Sequence, residues 1–273
     1  MGTATWDVRL RPLARRHGSA VLLIAYPAAI ALAELTTAAI SPSLGLGLHA
    51  CVLLTLLWAG ARSDEDDSRG MFFALMTAPL LRIFSLALPL NSFPQTWWYV
   101  IVMVPVWVSA WIAARTAGYS CADLGLTISW RALPLQLLVL PMGLLLGALE
   151  FLILQPLPLA TGLTWGAVWL PALVLVVATG FGEEVIFRGL LQQAAMWRFG
   201  PWRGVLFVTV VFAAMHIGYL SIPDLALVFA AGLGLGWVTW RSGSLLTATV
   251  MHGSANVTLF LLAPLWLAPL ISR

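Results

Sequence analysis

Long apolar stretches separated by short polar segments dominate the chain. They run over residues 19–40, 44–61, 71–90, 97–114, 133–154, 165–197, 204–220, 225–240 and 245–270. A membrane span needs about 20 apolar residues at about 1.5 Å of rise each. The pattern therefore predicts eight or nine transmembrane helices and an all-α fold, a polytopic membrane helix bundle. A β-barrel would alternate apolar and polar residues, and these runs do not. The stretch 165–197 is too long for one simple span, since its 33 residues would cover about 50 Å against a hydrocarbon core of about 30 Å. It must tilt, protrude or break, and Gly180 and Gly182, on either side of Phe181, offer a place to break.

Composition agrees with this reading. Of 273 residues, 61% are hydrophobic and only 9% charged, and the mean hydropathy is +0.95. A soluble domain with so few polar groups could not cover its own exterior. A cytosolic enzyme, a secreted disulfide scaffold and a disordered chain are thereby excluded. Cys51 and Cys121 lie far apart and form no ligand pair such as CxxC.

All 14 basic residues are Arg, and the net charge is +3. In a soluble protein this balance would point to nucleic acid. Here the arginines sit at the ends of apolar runs, which points to membrane orientation and no nucleic-acid partner. The tail 1–17 carries Arg9, Arg11, Arg15 and Arg16; alternate connections hold Arg62 and Arg69, Arg115 and Arg131, Arg198 and Arg203, and Arg241. The intervening connections near 41–44, 91–96, 155–164 and 218–224 hold none. The positive-inside rule then places the N-terminus in the cytoplasm. The first apolar run holds Glu34 and precedes many more spans, so it reads as an anchor rather than a cleaved signal. The acidic segment 62–69 reads as a solvated connection. Trp97, Trp98 and Tyr99, at the start of a span, read as an interfacial aromatic belt.

Polar groups inside spans are costly and by default functional. The candidates are Glu34, His49, Arg82, Glu150, Glu183, Glu184, Arg188, His216, His252 and Asn256. His49 reads best as a partner in an interhelical hydrogen bond, Glu34 and Glu150 as such partners or as neutral acids with raised pKa, and Arg82 as an ion-pair partner of one of these carboxylates; Arg82 or Glu150 could also line a substrate route. Three clusters have helical spacing: Glu184 and Arg188, Phe212 and His216, and His252 and Asn256, each pair one turn apart on one face. In unbroken helices Glu183 lies about 22 Å from Arg198, His216 about 20 Å from Arg203, and His252 about 16 Å from Arg241. Three helices thus carry polar groups at similar depth.

Such a set suffices to hydrolyse an amide. A carboxylate can take a proton from water, one histidine can position that water, and a second histidine with an asparagine can bind the oxyanion. Arg188 would pair with Glu184, so that two neighbouring carboxylates do not compete for one proton. Glu183, His216 and His252 could alternatively hold zinc, a common His–His–Glu ligand set, although the HExxH spacing is absent. No GxSxG serine elbow and no GxGD-type aspartyl pair is present.

The motifs Glu-Glu-x-x-x-Arg at 183–188, Phe-x-x-x-His at 212–216 and His-x-x-x-Asn at 252–256, in that order and preceded in the last case by Trp240-Arg-Ser-Gly-Ser-Leu245, resemble those of the CPBP family. These are the CAAX-processing and bacteriocin-processing intramembrane endopeptidases, also called Abi proteins. The resemblance covers roughly residues 131–262. With the arginine and apolar patterns, it divides the chain into a cytoplasmic Arg-rich tail over 1–18, N-terminal transmembrane helices over 19–130 that match the family only in being apolar helices, and a CPBP-like peptidase core over 131–273. By carry-over, Glu183 is the catalytic base, His216 helps to activate water, His252 and Asn256 form the oxyanion site, and Glu184 and Arg188 support the geometry, with no metal or other cofactor required. The implied protein is a multi-pass peptidase of a bacterial cytoplasmic membrane, acting on a membrane-anchored protein or peptide within the lipid bilayer. A non-catalytic scaffold or bacteriocin-immunity protein on the same fold is the alternative, and a proton or solute transporter a third reading. Substrate identity and oligomeric state are not legible.

Overall fold

The computed structural model describes residues 19–63, 66–127 and 133–267. The Arg-rich tail 1–18 and Arg131 lie outside the described residues, as does the centre of the acidic connection after Arg62. The described residues form helices joined by short turns and no strand. In chain order the long elements are α1 (Ser19–Ala39), α2 (Pro42–Arg62), α3 (Asp66–Leu75), α4 (Thr77–Ala87), α5 (Gln95–Thr116), α6 (Leu133–Leu154), α7 (Trp165–Phe199), α8 (Pro201–Ala214), α9 (Ile222–Ser242) and α10 (Leu245–Trp266). Among the described residues, eight helices are long and apolar enough to cross a membrane, counting α3 and α4 as one span, and the apolar stretch Ile24–Ala39 of α1 is a shorter ninth. Within the described residues, each of the nine apolar stretches of the sequence contributes a helix to a polytopic all-α bundle.

Local chemistry sets the helix ends. Ser41, Ser221 and Ser244 accept from the backbone N–H groups of Leu44, Asp224 and Leu246, capping α2, α9 and α10. Gly243 ends α9 in the left-handed region at φ +66°, where a side chain would be strained. Gly200 turns the chain at φ +86°, and Pro201 then opens α8.

Helix α7 does not break. It stays helical over 35 residues, about 52 Å of straight α-helix, and relaxes into π-helical turns over Leu175–Phe181 and Val185–Leu191. The two glycines expected to break it serve contact instead. A Cβ on Gly180 would lie 2.8 Å from the Cα of Gly253 on α10, and one on Gly182 would lie 2.8 Å from the indole nitrogen of Trp107 on α5. On its other side, α10 meets α6 through Gly143 and Gly147, where added Cβ atoms would come within 2.2 Å of Met251 O and 2.1 Å of Ala255 O. Small residues four apart let backbones approach in this way without hydrophobic pressure from water. Helix α10 is thus clasped between α6 and α7.

The two ends of the bundle are distinct. At one end Tyr119 packs edge-on against Trp197 at 4.8 Å, Leu245 N donates to Gly125 O at 2.9 Å, and Ser244 Oγ donates to Thr127 O at 2.8 Å. At the other end Leu159 N donates to Phe260 O at 3.0 Å, and Tyr99 contacts the Phe260 ring.

Gly147→Ala should lower stability by about 1–3 kcal/mol, because the new methyl must displace backbone. Gly47→Ala on α2, where no atom lies within 4 Å of the added Cβ, should be neutral. Thermal unfolding in detergent measures both, and equal midpoints for the two variants would refute the clasp.

Candidate active site

Glu183 and Glu184 occupy the short α-helical link Gly182–Glu184 between the two π segments of α7. Adjacent helical residues point about 100° apart, so the two carboxylates meet different surroundings. The Glu184 side chain is fully buried, and its Oε1 receives two groups: Arg188 Nη1 at 3.0 Å and His252 Nδ1 at 2.8 Å. The Arg188 guanidinium, also fully buried, lies 4.2 Å from the Phe212 ring centroid, a cation–π contact that partly offsets its desolvation. The Glu183 side chain is 22% exposed, and its Oε2 stands 3.9 Å from His252 Nε2.

His216 lies just beyond the α-helical part of α8, at φ −99° and ψ 0°, before the turn Ile217–Tyr219. Its Nδ1 is 2.9 Å from Phe212 O. A carbonyl only accepts, so Nδ1 carries the proton of the neutral ring and Nε2 keeps a lone pair. Asn256 Nδ2 donates to Thr179 Oγ1 at 2.9 Å, and the Thr179 hydroxyl donates in turn to Leu175 O. These contacts follow from the Gly180–Gly253 approach, which sets one turn of α10 directly against the glutamate turn of α7.

Glu183 opens into a cavity of about 510 Å³ walled by the end of α4, the connection after it and the start of α5. A second space of about 470 Å³ shares Leu81, Arg82, Trp98 and Glu183 with the first and reaches His216 and Tyr219. Glu183, His216, His252 and Asn256 are thereby brought to one region, with Glu184 and Arg188 behind them. Among the described residues no three His, Cys, Asp or Glu side chains are grouped to hold a metal ion.

Other sequence candidates lie around this core. Arg82 donates from Nε to Glu34 Oε1 at 2.7 Å and from Nη2 to Met215 O at 2.9 Å. His49, fully buried, has its Nε2 3.5 Å from the same Glu34 oxygen. Glu150 is half-buried on α6 and makes no hydrogen bond among the described residues. Trp98 and Tyr99 line the cavity, and Trp97 is exposed. The sequence reading missed Thr179. Its signal was the four-residue spacing from Thr179 to Glu183, which puts a hydroxyl one turn from the carboxylate.

Residues 164–258 match the family described as Type II CAAX prenyl endopeptidase Rce1-like. The matched segment agrees with the resemblance of the motifs to the CPBP family. All three motifs fall inside the matched segment. An uncharacterized 24.3 kDa protein of Escherichia coli is 33% identical over 89 residues, which are 32% of this chain and 41% of that protein. The chain thus spans less than half the length of this curated relative. No solved structure matches the chain.

The motif-bearing segment carries a stability test. Arg188→Ala leaves Glu184 buried with only His252 as a partner and should cost about 3–5 kcal/mol. Glu183→Gln removes no hydrogen bond of the fold and should unfold close to the parent protein. If the two variants melt together, Arg188 does not balance Glu184.

Proposed function

We propose that this protein is an intramembrane endopeptidase that hydrolyses a peptide bond of a membrane-associated protein or peptide, with Glu183 as general base. The observation that carries the reading is the division of labour between adjacent glutamates. Glu184 is consumed by Arg188 and His252, whereas Glu183 faces the cavity without a hydrogen-bond partner among the described residues.

The chemistry follows from these positions. Glu183 takes a proton from a water that the Nε2 lone pair of His216 helps to orient. The oxygen of that water attacks the scissile carbonyl, and negative charge moves to the carbonyl oxygen. Asn256 has a second Nδ2 hydrogen beyond the one given to Thr179, and it donates this to the oxyanion. His252 uses its Nδ1–H on Glu184, so it donates from Nε2 only as imidazolium. In that form two carboxylates, Arg188 and His252 balance to zero net charge. The tetrahedral intermediate then collapses, and Glu183 returns its proton to the leaving amine. Thr179 and Glu184 are positioning residues for Asn256 and His252. No step requires a cofactor.

In a cleavage assay with a membrane peptide substrate, Glu183→Gln should lower turnover by roughly 10² to 10⁴, and Asn256→Ala by roughly 10² or more. Cys121→Ser, in an exposed connection, is the control. Wild-type cleavage by Glu183→Gln would defeat the peptidase mechanism. A cellular phenotype that needs the protein but survives that substitution would favour the non-catalytic scaffold.

Elemental analysis tests the cofactor separately. The active, purified protein should carry no stoichiometric zinc. About one zinc per chain, lost with activity on chelation and regained with it, would reverse the assignment.

A further inference from the structure

We infer that the Glu183 cavity admits its substrate from the extracytoplasmic side of the membrane, so that the scissile bond belongs to an exported peptide or to the outer juxtamembrane part of a membrane protein. This rests on the peptidase reading for the chemistry but not for the direction.

The cavity has a definite axis. Its inner wall is Glu183 and Thr179, in the middle of α7. From there it runs past Arg82 and Ser85 to Leu88–Asn91, the connection between α4 and α5, and to Trp98 on the first turn of α5. The adjoining space ends at Gly218 and Tyr219, in the connection between α8 and α9. Both outlets lie at the same end of the bundle, and Asn91 and Tyr219 are exposed there.

Charge identifies that end. Arg62, Arg69, Arg115, Arg198, Arg203 and Arg241 stand at helix termini of the opposite end, the one joined by Tyr119–Trp197 and Ser244–Thr127. Two of these arginines lie over tryptophans, Arg62 at 4.6 Å from the Trp58 ring and Arg115 at 5.8 Å from that of Trp111, as expected where a helix leaves the bilayer. The connections at the cavity end, 40–41, 88–94, 155–164 and 215–221, contain no arginine. Arginine-rich ends are retained in the cytoplasm, so the cavity opens outward. Its walls are Leu81, Leu86, Leu88, Trp98, Val102 and Met103, broken by Arg82. They suit an extended apolar peptide. A lipidated C-terminal tail on the cytoplasmic surface would lie at the Arg-rich end, opposite these two outlets.

The test uses thiol labelling of the full chain in the inner membrane of bacterial spheroplasts, with a membrane-impermeant maleimide. Native Cys121, in the exposed connection after α5, reports the Arg-rich end once Cys51 is replaced by Ser; Asn91→Cys in a chain lacking both native cysteines reports the cavity mouth. Asn91→Cys should label in intact spheroplasts and Cys121 only after permeabilisation. The reverse pattern, or an Asn91→Cys that labels from neither side, overturns the inference. In a second arm the bulky adduct on Asn91→Cys should slow cleavage of a membrane peptide at least tenfold relative to the same unlabelled protein, and unchanged cleavage overturns the entry route. An inactive parent protein would defeat the peptidase reading while leaving the labelling result to decide the face.

Discussion

A single carboxylate oxygen organises the site. Glu184 Oε1 accepts from Arg188 on its own helix and from His252 on α10, and both donors lie where water cannot screen them. Removing charges from water is costly, and a buried pair persists only where geometry and hydrogen bonds make up that cost. Here the second donor comes from another helix, so the electrostatic requirement of Glu184 is also a constraint on how α7 and α10 dock. The glycine contact between Gly180 and Gly253 makes that docking sterically possible. Phe212 completes the arrangement: its ring meets the Arg188 guanidinium and packs edge-on against both Phe187 and His252. With Glu184 committed in this way, its neighbour Glu183 is left to face the cavity.

The helices that precede the motif-bearing segment are not passive. They supply the outer walls of the cavity and, through Arg82, a bond to the carbonyl of Met215. That carbonyl lies at the frayed end of α8, where the backbone is leaving helical geometry and its acceptors lack intrahelical donors. Arg82 fills one such vacancy immediately before His216, while Glu34 holds the guanidinium in place. A buried acid on α1 thus bears on the placement of a histidine 182 residues later in the chain.

Much of this was legible in the sequence, for physical reasons that differ from residue to residue. Apolar run length is a direct consequence of bilayer thickness, so the apolar helices of the described residues could be read. The Glu184–Arg188 pair follows from one helical turn. The pairing of Glu184 with His252 was not legible, because it depends on the lateral packing of two helices far apart in sequence. Thr179 was hidden because a threonine in an apolar helix ordinarily satisfies itself by bonding to the carbonyl four residues back. It does so here with Leu175, yet its oxygen still accepts from Asn256. That Trp98 and Tyr99 line the cavity was not legible, because an aromatic doublet at a span start looks the same whether or not a cavity lies beside it. Gly180 and Gly182 show a similar ambiguity, since a missing side chain permits either a bend or a close neighbour.

The bond from Arg82 to Met215 also bears on modularity. The segment that carries every recognisable motif begins at residue 164, but the guanidinium that secures the turn before His216 is encoded far upstream. Grafted onto a different set of leading helices, the motif-bearing half would keep its glutamates and histidines and lose the brace on one of them. The unit that must be inherited together is therefore larger than the unit that sequence similarity delineates.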